Sequence, residues 1–192
     1  MDEAADRADA VARRLFVLLV RRSRGAAELV EDLLGRPVWS RLVGTGELTR
    51  VAPPGLARLA TTGPVLRRHL VLADSRPPHL PVAASWSLVV PWRLPEAVAA
   101  ALRAGGEPLD RLLTGSGLAW TATPLETETA PVAEASVAFP WAAPDDPVVE
   151  QARLLQLDGQ PVAVVLDEVP FLPPRDADEP LLPASRPPAS SG

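Results

Sequence analysis

The sequence predicts an α+β fold in which helices pack on one face of an antiparallel sheet. Three observations carry that expectation. β-Rich runs recur between proline and glycine breaks from Val65 to Val169. Asp158-Gly159 joins the last two runs as a two-residue hairpin turn, whose central positions need positive φ. Helical spacing or composition occupies residues 3–34 and two short stretches between Leu94 and Leu113.

Taken in order, residues 3–24 are rich in Ala, Arg, Asp and Leu, with Val11, Leu15, Leu18 and Leu19 at helical spacing, and read as an amphipathic helix. A second helix covers Ala26 to Leu34. Gly35 ends it, and Pro37 disfavours helix at Arg36. Pro53-Pro54-Gly55 is a turn. Val65–Ala73 and Val82–Val90 are strands separated by the Pro77-Pro78 loop. Leu94–Ala104 is helical, with Pro95 in the first turn, where no amide donor is needed, and Gly105-Gly106 as its stop. Pro108–Leu113 is another short helical segment. Ala119–Thr129, Val148–Leu157 and Val162–Val169 complete the strands.

The chain has 192 residues, of which 47% are hydrophobic and 22% charged, enough to fill a sizeable core. Proline, at 23 residues against 12 glycines, favours extended segments and fixed turns and excludes collagen. The net charge of −5, with all 19 basic residues arginine, argues against nucleic acid as the main partner. The absence of cysteine excludes disulfides, thiol catalysis and Cys-type zinc sites. The apolar run Leu15–Val20 is six residues long and is followed by Arg21 and Arg22, too short and wrongly flanked for a membrane span or a signal sequence. A cytoplasmic location is therefore expected. Residues 1–38 form an expected N-terminal helical segment, 39–173 the α+β domain, and 174–192 a Pro/Ser-rich tail too poor in apolar residues to fold.

Phosphate-loop, dinucleotide-binding, zinc-protease and nucleophile-elbow motifs are absent. His69 and His79, ten residues apart, supply too few ligands for a metal, so none is expected. Arg67 and Arg68 open the first strand, and alternation sends them to opposite faces, one of them inward. An inward guanidinium needs an anionic partner and suits a planar carboxylate held by two bonds; an edge-strand pairing with a protein acid is the alternative. Glu168 follows Val162, Val164 and Leu166 along one face. Desolvation there would raise its pKa and fit it to act as a general acid, whereas a solvated strand end would leave it inert. The five tryptophans read as core or rim packing.

Together these segments resemble the chorismate lyase family, whose fold is shared with the effector-binding UTRA domains of bacterial transcription regulators. The resemblance runs from about Trp39 to Pro173. It covers GELTR (Gly46–Arg50), VLRRHLVLAD (Val65–Asp74), PVAASWSLVVP (Pro81–Pro91), EPLDRLLTGSGL (Glu107–Leu118) and the closing hairpin LLQLDGQPVAVVLDEVPFLP (Leu154–Pro173). Asp110 stands where the family has a glycine, and Trp86 and Trp120 where arginines are common.

The resemblance implies a chorismate lyase-like fold and a reaction without a cofactor: elimination of pyruvate from chorismate to give 4-hydroxybenzoate, driven by aromatisation of the ring. On this view Arg67 holds a carboxylate, Leu48 and Leu109 wall the ring, and Glu168 is the catalytic acid. The ligand class it implies is a small aromatic or cyclic carboxylate. The alternative on the same fold is a non-catalytic protein, either a UTRA-like sensor of small molecules or a partner-binding module. In regulators such domains follow a winged-helix DNA-binding domain, for which the first 40 residues are too short.

Overall fold

A computed structural model of the chain describes residues 3–48 and 56–171. The expected Pro53-Pro54-Gly55 turn and the tail from residue 174 lie outside them. The helices are α1 (Glu3–Arg22), α2 (Ala26–Leu34), α3 (Leu56–Leu59), α4 (Glu96–Ala104) and α5 (Leu109–Gly115). The strands are β1 (Val38–Leu48), β2 (Val65–Asp74), β3 (Pro81–Val89), β4 (Trp120–Pro131), β5 (Pro147–Leu157) and β6 (Gln160–Pro170). They form one antiparallel sheet in the order β1-β2-β3-β6-β5-β4. Among the described residues no helix is long and apolar enough to cross a membrane.

Local chemistry sets most of the boundaries. Gly35 closes α2 in the left-handed region at φ 64°, where a side chain would be strained. Its successor Arg36 donates from Nε to Asp74 Oδ1 at 2.8 Å, tying the end of α2 to the end of β2. Asp158 (φ 51°) and Gly159 (φ 77°) make the tight turn between β5 and β6. β1 is a strand that the sequence reading leaves unassigned. It is an edge strand with two glycines and a register shift between Leu42 and Gly44, so its alternation is broken where a strand signal would be sought.

Cross-strand partners share a face, so the register divides the sheet. One face carries Leu66, Leu70 and Leu72 of β2, Ala83 and Val89 of β3, Val149 and Leu155 of β5, and Ala163, Val165 and Val169 of β6. Four helices cover it in two packages. Phe16 and Val20 of α1 join Ala26, Ala27, Leu29 and Val30 of α2 over one end. Val98, Ala99 and Leu102 of α4 join Leu109 and Leu113 of α5 over the other. Among the described residues, the opposite face receives the short α3, through Leu59, and the segment after β4, through Val132 and Phe139. Helices therefore pack mainly on one face, as the sequence predicts.

Candidate functional site

The four residues singled out from the sequence do not converge. Leu48 pairs with Val65, Arg67 with Gly46 and Leu88, and Glu168 with Ala84 and Glu150, which sets all three on the face away from the helix packages. Arg67 is exposed there. The register separates it from Glu168 by two strands and four residues, roughly 10 Å across and 13 Å along the sheet. Glu168 is 4% exposed, and its carboxylate accepts from the Ser136 backbone N–H at 3.3 Å and from the Ser136 hydroxyl. Its lone pairs are thus engaged by the segment after β4. Leu109 is buried on the other side of the sheet, in α5.

Strand alternation turns one arginine of the pair toward the helices, and that arginine is Arg68, not Arg67. It is 0% exposed and pairs across the sheet with Ser87. Its Nη2 donates to the carbonyls of Gly105 at 2.8 Å and Glu107 at 3.0 Å, pinning the loop between α4 and α5 onto the sheet. Burial holds the Arg68 pKa below its ordinary value, with the charge of Glu107 opposing. On β6 the inward acid is Asp167, not Glu168. Asp167 pairs with Ser85 and Gln151 in the sheet and accepts from Nη2 of Arg153 on β5.

A polar seam results where the two helix packages meet. A cavity of about 20 Å³ lies there, bounded by Ala26 and Ala27 at the start of α2, Leu109 and Asp110 on α5, and Arg153 and Asp167 on the sheet, with Ser85 and Ser87 beside them. That is room for about one water. Gly25 makes the close approach possible. A Cβ placed on it would lie 1.7 Å from Asp110 Oδ2 and 3.4 Å from Arg153 Nη2, so any side chain there would displace the carboxylate. Burial, and then the charge of Asp167, push Asp110 up to about 6, against the opposing pull of Arg153 and Arg111.

Two buried guanidinium groups lie on this face of the sheet, Arg153 in the cavity wall and Arg68 one strand from the lining residue Ser87. Arg68 and Arg153 are 0% and 2% exposed, and each keeps Nε and Nη1 buried without a hydrogen-bond partner. Buried guanidinium groups with idle donors are costly unless an anion or water completes them. Buried Gln151 also has its amide unpartnered, on the same face as Asp167. Sequence reasoning gave Arg153, Asp110 and Asp167 no role in a site. For Arg153 the signal was the parity of β5, where Gln151 and Arg153 fall in line with Leu155. Among the described residues no cluster of His, Cys, Asp and Glu could hold a metal.

No protein-family model matches the sequence, and no curated protein matches it. Solved structures do match. The chain is similar to PhnF from Mycobacterium smegmatis, with a TM-score of 0.57 and 19% identity over 77% of this chain and 64% of that one. For the effector domain of PhnF from the same organism the TM-score is 0.55, with 20% identity over 76% of this chain and 88% of that one. The ligand-binding domain of a candidate GntR-family transcriptional regulator from Bordetella bronchiseptica gives a TM-score of 0.50 and 18% identity, covering 69% of this chain and 84% of that one. This chain thus spans just under two thirds of the first of these chains. At such identities the likeness is one of fold, and the fold is that of the UTRA effector domains of GntR-family regulators, shared with chorismate lyase.

Proposed function

We propose that this chain is a small-molecule-binding effector domain of the UTRA kind, which takes a small organic carboxylate in the seam between the sheet and helices α2 and α5. The observation that carries this reading is buried Arg153, with idle Nε and Nη1 at the cavity wall, together with buried Arg68, whose Nε and Nη1 are also idle one strand from the lining residue Ser87. A guanidinium held dry by its fold gains most from a planar anion. The apolar walls from Leu70, Leu72, Leu155 and Val165 suit a compact carbon skeleton, and Ser85 and Ser87 suit its hydroxyl groups. The lyase reading required Glu168 as the acid beside the ring. That residue is bonded to Ser136 on the opposite face, so the geometry favours binding over turnover.

The test is calorimetry with 4-hydroxybenzoate and chorismate, together with an incubation with chorismate monitored for pyruvate. Binding without turnover is expected. Arg68→Ala should weaken binding by roughly 30-fold or more, about 2 kcal/mol or above, because it removes a charge-assisted contact in a dry site. Arg67→Ala should leave affinity within about twofold, since rim charges on another face contribute little. Steady release of pyruvate would replace this reading with the lyase. Loss of binding in Arg67→Ala with none in Arg68→Ala would move the site to the open face.

A further inference from the structure

We infer that the seam takes up its anionic ligand together with a proton on Asp110, so that Asp110 is a built-in gate on affinity. This deepens the reading above and rests on the seam being an anion pocket. The charge count leads to it. Of the charged groups that line the cavity, one cation, Arg153, already offsets only one of the two carboxylates, Asp110 and Asp167. A ligand carboxylate would leave a surplus negative charge in a dry site, which is costly unless one protein acid is neutral.

Asp110 is the acid placed to give way. Asp167 is only 3% exposed and is held by Arg153, whereas Asp110 is partly exposed, at the edge of the cavity. It has no ion pair of its own among the described residues; Arg111, next to it on α5, is engaged by Glu31 of α2 at 2.6 Å. The charged groups facing Asp110 are Arg153 from β5, Asp167 from β6 and Arg111 from α5. Its carboxylate rests against the Gly25 backbone at the start of the nine-residue helix α2, whose first N–H groups have no acceptors within the helix. Those donors and the idle Nε and Nη1 of Arg153 are the groups an incoming anion would use, and an ionised Asp110 competes for them. The raised pKa of Asp110, about 6, is consistent with this competition.

The experiment compares wild type with Asp110→Asn, which keeps the shape of the side chain and removes its charge. The probes are 4-hydroxybenzoate and acetate, titrated by calorimetry from pH 5.5 to 8. Wild-type affinity is expected to fall roughly 30- to 100-fold across that range, with uptake of close to one proton at pH 7.5, read from buffers of different ionisation enthalpy. Asp110→Asn should bind with nearly constant affinity, close to that of wild type at pH 5.5. Titration of His69 instead would leave the slope in Asp110→Asn. A wild-type affinity independent of pH, or a slope that persists in Asp110→Asn, would overturn the gate while leaving the effector reading intact if Arg68→Ala still weakens binding. Weaker binding by Asp110→Asn at pH 8 would make Asp110 a direct contact and also overturn it. No saturable binding of either probe by either folded form at pH 5.5 would defeat the gate and the carboxylate pocket together.

Discussion

Arg153 and Asp167 are 2% and 3% exposed, and each compensates the other for the loss of water. Removing one partner leaves a buried charge, so Arg153→Leu should cost about 3–5 kcal/mol in a urea denaturation experiment. The double variant Arg153→Leu/Asp167→Leu should recover most of that loss, because two apolar side chains owe nothing to solvent. A double variant as unstable as the single one would mean that the pair positions the neighbouring helices as well as neutralising itself. At this scale the sequence was legible in type and blurred in address. Two arginines in succession announce that one is inward. The row of Leu66, Leu70 and Leu72 would have picked Arg68, since Arg67 shares its row with His69. On β6 no such contrast exists. Val162 to Val165 are all buried, so a strand covered on both sides gives no sign of which acid, Asp167 or Glu168, faces the helices.

Elements were more readable than residues because turn chemistry is local. The bounds of α2 and the Asp158-Gly159 turn follow from single residues that tolerate unusual φ, and strands on either side of that turn inherit their register from it. Gly159, at φ 77° with open space around its Cα, should therefore be sensitive to substitution for backbone reasons alone. Gly159→Ala should lower stability by roughly 1–2 kcal/mol, and Asp158→Asn, which also accepts positive φ, should stay within about 0.5 kcal/mol of wild type. Equal loss in the two variants would point to the Asp158 side chain rather than to the turn conformation. β1 escaped notice for the converse reason. Gly44 lies opposite His69 and Gly46 opposite Arg67, so the strand is defined by its partner in β2 more than by its own side chains.

At the scale of the whole molecule, the two helix packages are held unequally. α4 and α5 bury Val98, Ala99, Leu102, Leu109 and Leu113 in one continuous core with the sheet. α1 buries Phe16 and Val20 but leaves Val11, Leu15, Leu18 and Leu19 between 47% and 56% exposed. Beside it, between Phe16, Val17 and Leu18 on one wall and Val149 and Phe171 on the other, is a solvent-open hollow of about 490 Å³. A helix with few buried apolar contacts opens at low free energy, and α2, which roofs the seam at Ala26 and Ala27, shares its core with α1. A cavity with room for about one water can admit an organic acid only by such an opening. Native-state hydrogen exchange should therefore rank the molecule in three steps. Amides of residues 10–22 should exchange first, those of α2 next, and those of β3, β6 and α4 only with global unfolding. Phe16→Ala should speed exchange in both α1 and α2, by roughly tenfold or more per 1.4 kcal/mol of lost packing, while leaving the β3 and β6 amides at the new global limit. Protection in α1 equal to that in β6 would show a single cooperative unit, and the route into the seam would then have to pass between α5 and the sheet instead.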